Sequence, residues 1–120
     1  MRKFIILAFI LLTVGLQAQH RIQLTDSAQI QLVTCTQGEQ VWSKYGHSGI
    51  RVVDPAKNLD IVFNYGIFDL MSDDFYIKFV KGETYSQLGI ESYPHFLSFY
   101  RSIGHRIYWQ ELNLTPAQKQ

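Results

Sequence analysis

Polar and apolar side chains alternate along residues 29–36 (QIQLVTCT), with Ile30, Leu32 and Thr34 on one phase and Gln29, Gln31 and Val33 on the other. A period of two marks a half-buried strand. The same reading extends to residues 47–54 (HSGIRVVD), 60–66 (DIVFNYG), 84–92 and 105–114. In the last of these, Ile107, Trp109, Glu111 and Asn113 fall on one face. Turn chemistry from Asp54-Pro55 to Asn58 predicts that the second and third strands form an antiparallel hairpin. Elsewhere the period lengthens. Phe75, Tyr76, Phe79 and Val80 recur at helical spacing, with Ser72 or Asp73 placed to cap and Gly82 to stop. Residues 92–104 repeat the pattern: Ser92 caps, Pro94 suits the first turn, and Phe96, Leu97, Phe99, Tyr100 and Ile103 form an apolar stripe ended by Gly104. Between Gly38 and Gly46 there is room for about two helical turns carrying Val41, Trp42 and Tyr45 on a related face. The elements add up to an α+β domain, an antiparallel sheet with short helices. At the end, Thr115-Pro116 opens a helix of which only Ala117 to Gln120 follow, so the domain is expected to be truncated at its C-terminus.

The front of the chain follows another rule. A cationic Met1-Arg2-Lys3 precedes the thirteen-residue run Phe4 to Leu16, broken only by Thr13 and Gly15, and Gln17-Ala18-Gln19 forms a small, polar exit. This is the tripartite form of a secretory signal peptide. The run is shorter than the roughly 20 residues a spanning helix needs. Residues 1–18 are therefore read as a signal peptide, 19–28 as a polar leader and 29–120 as the domain, exported to the periplasm. With 47% hydrophobic and 14% aromatic residues, a packed core is expected. A net charge of +1 without a basic block excludes the electrostatic footprint of a nucleic-acid binder. One cysteine, Cys35, cannot make an intrachain disulfide or a CxxC zinc site. His20, His95 and His105 stand at no metal-ligand spacing and read as surface or loop residues, so neither metal nor cofactor is expected.

The chemistry centres on "KYGHSGIRV", residues 44–52, where His47 sits at a strand entrance between Gly46 and Gly49. An imidazole titrating near pH 6.5 is suited to general base work; a histidine hydrogen-bonded at a turn is the plainer reading. Cys35 is the one thiol at hand, and an adjacent imidazole could activate it, although an alternating strand favours it as a core residue. Asn64, on the strand paired with that of His47, is the candidate to orient the imidazole; an ordinary strand asparagine is the alternative. Asp69, Asp73, Asp74 and Glu83 read as caps and turns. The aromatic residues of 75–80 and 96–100 read as core stripes.

Four segments in order, "LVTCTQGEQVWSKYGHSGIRVVDP", "VFNYGIFDL", "FYIKFVKGETYSQLG" and "NLTPAQKQ", resemble the N-terminal periplasmic domain of Lnb-type lipoprotein N-acyltransferases. "GHSGIRV" is also similar to the histidine strand of permuted NlpC-type, papain-like folds. The resemblance implies the histidine-bearing half of a permuted papain-like domain, with His47 as the catalytic imidazole and the nucleophile in an Asn-Cys helix start downstream of these residues. Cys35 would then be only an alternative nucleophile, and these residues alone would be inactive. The implied reaction is ping-pong transfer of an acyl chain from a phospholipid donor to the amine of a diacylated lipoprotein, close to a membrane. A papain-like cell-wall peptidase or amidase and a non-catalytic exported binding domain are the alternatives.

Overall fold

A computed structural model describes residues 22–120; the signal-peptide reading of residues 1–18, and His20, lie outside the described residues. Five strands form one sheet: β1 (Gln29–Cys35), β2 (His47–Asp54), β3 (Leu59–Ile67), β4 (Gln87–Ser92) and β5 (Ile107–Glu111). Their order is β4-β3-β2-β1-β5, with every neighbouring pair antiparallel. Two helices, α1 (Phe75–Lys81) and α2 (Tyr93–Ser102), complete the α+β fold. The β2–β3 hairpin closes through a 3-10 turn at Pro55–Lys57, and Asn58 takes the left-handed conformation at φ 51° that asparagine tolerates.

Strands β4 and β5 occupy opposite edges, and α2 joins them. Four strand spacings amount to about 19 Å, and a ten-residue helix is about 15 Å long, so the connection must cross one face of the sheet. That crossing decides which side is buried. Phe96 of α2 meets Val33, Cys35 and Val62 in the core, with Tyr93, Tyr100 and Ile107 packed around them. On β1 the more deeply buried phase is therefore Gln31, Val33 and Cys35, while the more apolar Ile30 and Leu32 remain half-buried on the other face. At the start of α2, Arg51 lies 3.4 Å from the Tyr93 ring centroid and makes a bidentate pair with Asp60, both contacts at 2.7 Å. Its third bond, 3.1 Å long, goes to Gln31 Oε1. A planar guanidinium can stack and bond at once, which pins the helix entrance to the sheet.

Several local expectations need correction. The segment between Gly38 and Gly46 holds only a 3-10 turn at Val41–Ser43, because Gly38 N donates to Ser43 O at 2.9 Å and draws the loop into a tight ring. Tyr45 is exposed there. α1 starts later than expected, with Asp74 at the N-cap, since the Phe75 N to Ser72 O bond at 3.0 Å uses Ser72 in a preceding turn. The two aromatic stripes are only partly core: Phe75 and Phe96 are buried, but Tyr76, Val80, Phe99 and Ile103 are exposed. Both helices are short and half-covered, so one line of side chains reaches inward. β5 is an edge strand, and Trp109 stays exposed. At 115–118 a single turn forms, closed by Gln118 N donating to the Thr115 carbonyl at 2.9 Å, while Gln118 Oε1 accepts from Thr115 N at 2.9 Å and from its hydroxyl at 3.1 Å.

Candidate functional site

Antiparallel register brings the sequence candidates to one end of the sheet. Cys35 stands opposite His47, and Gly49 opposite Asn64, so all three side chains emerge on the face that α2 crosses. Gly46 turns the chain into β2 at φ 76°, and a Cβ there would lie 2.6 Å from the Cys35 carbonyl oxygen. Only glycine fits that entrance. Across the sheet, the β3–β4 ladder slips between Tyr65 and Ile67, leaving Gly66 at φ 89° in a bulge. A Cβ on Gly66 would come 3.7 Å from His47 Cε1, an ordinary contact, so it is the left-handed backbone rather than crowding that calls for glycine beside the imidazole.

His47 Nε2 is hydrogen-bonded to Asn64 Oδ1. The imidazole lies nearly parallel to the Tyr100 ring, 5.7 Å between centroids and 8° between planes. Asn64 is buried, and its Nδ2 donates to Glu91 Oε1 at 3.1 Å. Glu91 Oε2 is 2.6 Å from His95 Nδ1. Burial raises the Tyr100 hydroxyl above the usual phenol range, an effect that hydrogen bonding with Asn64 partly offsets. This polar chain lines a cavity of about 420 Å³ whose remaining wall is largely apolar, including Trp42, Ile67, Phe68, Leu70, Phe99 and Ile103.

Cys35 is placed differently. Although it neighbours His47 in register, it is 1% exposed among Val33, Val62 and Phe96 and does not line the cavity. Burial pushes its thiol up to about 12, leaving almost no thiolate at neutral pH. The acidic candidates serve local roles: Asp69 Oδ1 accepts from Met71 N at 3.1 Å, and Asp74 pairs with Lys78 at 2.8 Å, the lysine holding its carboxyl below the usual range.

His95 and His105 both fit the surface-or-loop reading. His105 sits in a loop, buried, with its Nδ1 2.6 Å from the Thr36 carbonyl oxygen, and His95 is exposed. His95 stands on α2 at the cavity wall, brought there by the crossing of the helix. Glu91 and Tyr100 were not singled out in the sequence. The four-residue spacing of Glu91 and His95 across the Ser92 cap is a signal that could have paired those two, and none in the sequence links Tyr100 to them.

The α+β domain thus holds a histidine and an asparagine together on the wall of a largely apolar cavity. A family model described as the Lnb N-terminal periplasmic domain matches residues 17–120. The chain belongs to this family, and its domain is a periplasmic one. Comparison with curated proteins and with solved structures finds no match.

Proposed function

We propose that this chain is the histidine-bearing part of an exported, permuted papain-like thiol acyltransferase that moves an acyl chain from a phospholipid to the N-terminal amine of a diacylated lipoprotein. The observation that carries this reading is the His47–Asn64 pair on the wall of a cavity lined mainly by apolar side chains. Family membership supports the lipoprotein connection. The buried Cys35 thiol is poorly suited to nucleophilic attack, which favours a cysteine outside these residues as nucleophile.

In the first half-reaction His47 takes the thiol proton, and the thiolate attacks the ester carbonyl carbon of the phospholipid. Collapse of the tetrahedral adduct breaks the bond to the glycerol oxygen, and the imidazolium returns its proton to that oxygen as the lysophospholipid leaves. In the second half-reaction the lipoprotein amine attacks the thioester. His47 receives the amine proton, the carbon–sulfur bond breaks, and the proton passes to the departing sulfur. Amide formation thus regenerates the thiol and the neutral imidazole.

The full-length gene product, incubated with phospholipid and a diacylated lipopeptide bearing a free N-terminal amine, is expected to add one acyl group to that amine. The check is the intact mass of the lipopeptide. Cleavage of peptide bonds without acyl addition would point instead to a papain-like peptidase, and an unchanged lipopeptide to a binding domain.

A further inference from the structure

We propose that Glu91 is a positioning residue that sets the tautomer of His47 through the side-chain amide of Asn64. The inference rests on the reading of His47 as a base, and it says which ring nitrogen does the work. An asparagine amide can face either way, but an ionised carboxylate has only acceptor atoms. Because Glu91 Oε1 is 3.1 Å from the Asn64 amide nitrogen, that end of the amide must be the donor. The amide oxygen is then turned to His47, where it can only accept. Nε2 of His47 must carry the hydrogen, and Nδ1 keeps the lone pair.

The geometry makes this more than a surface contact. Glu91 lies two residues beyond Gly89, the register partner of Asn64, on the same face of β4. The space a Cβ at Gly89 would take is filled by the Cδ1 end of the Ile67 side chain. Asn64 is 5% exposed, so water is a poor substitute acceptor for its amide nitrogen. The second oxygen of Glu91 is occupied by His95 Nδ1 at 2.6 Å. His95 therefore holds the carboxylate from the solvent side. The chain runs His95 to Glu91 to Asn64 to His47, and the orientation of each member follows from the one before it.

The test is long-range proton–nitrogen NMR of the histidine-labelled protein above the imidazole titration range, with the backbone spectrum reporting the fold. The parent is expected to show His47 as a single Nε2–H tautomer. Glu91→Leu removes the acceptor, frees the amide to turn over, and is expected to convert that signal into a mixture of both tautomers. Glu91→Gln can still present a carbonyl oxygen to Asn64 while its amide nitrogen faces His95, so the parent tautomer should return. A well-folded Glu91→Leu protein with an unchanged His47 signal would overturn the proposal. So would an Nδ1–H tautomer in the parent, which needs no variant and decides the matter even if Glu91→Leu fails to fold. The signal is read without turnover, so it stands or falls separately from the activity of His47→Ala.

Discussion

Of the two strand residues facing each other at the end of the β1–β2 ladder, His47 opens toward the cavity and Cys35 toward the core. Their proximity makes a dyad conceivable, but environment separates them. Desolvation without a compensating charge holds the Cys35 proton in the folded state. The ordinary thiol value is about 8.5, so the folded value is the higher one. Its stabilising contribution is therefore complete below the unfolded value and declines as pH rises from there toward about 12. Cys35 is expected to resist alkylation at pH 8 until the protein unfolds. Cys35→Ser should cost about 1–3 kcal/mol through a buried hydroxyl, read as a lower denaturant midpoint. Rapid labelling in the native state would show that the thiol is open. The His47–Asn64 link was within reach of the sequence because a hairpin with a short turn has a calculable register. His95 and Tyr100 were not, because their place at the site depends on the path of a helix across the sheet, and Glu91 needed the β3–β4 register, which the long connection through α1 leaves open.

At the scale of elements, β3 and α2 make the site. The bulge at Gly66 lies beside the imidazole, and α2 supplies its roof through Tyr100 while anchoring itself through Phe96. Phe96 is fully buried, 4.5 Å centroid to centroid from Tyr100. Phe96→Ala is expected to destabilise the domain by about 3–5 kcal/mol, and to loosen the His47–Tyr100 stack before global unfolding. Thermal denaturation and the chemical shifts of the His47 ring are the measurements. An unchanged melting temperature would contradict the assigned core. The existence and order of strands and helices were legible in periodicity and in the Gly and Pro punctuation. The burial of each stripe was not, since a short helix across a five-stranded sheet presents only one line of side chains, leaving Phe99 and Ile103 to the cavity rather than the core.

The whole molecule is tied together at the end of the sheet away from His47. Thr25 donates through its backbone N and its hydroxyl to the two oxygens of buried Asp54, at 2.8 and 2.7 Å. Lys119 Nζ reaches the Ala28 carbonyl at 2.6 Å, and the Gln120 side chain pairs with the Leu24 backbone. The described part of the polar leader is thus joined to both the hairpin and the last turn. The Thr25 hydrogen bonds hold the Asp54 carboxyl below its ordinary value. Stability from this group is present above the unfolded carboxylate value, about 3.9, and lost as pH falls through the lower folded value. Asp54→Asn should lower the melting temperature at pH 7 and flatten its decline in acid. An acid limb identical to the parent's would remove Asp54 from this role.

The claim on which the rest depends is that His47 moves protons in acyl transfer, and the turnover of His47→Ala in the full-length gene product tests it most directly. With phospholipid donor and lipopeptide acceptor, acyl transfer is expected to fall by about 10² to 10⁴, the usual worth of a positioned acid–base group, while the circular dichroism spectrum and melting temperature stay near the parent's. Parental turnover in a folded His47→Ala protein would contradict the account and leave His47 a polar residue at the entrance of a strand.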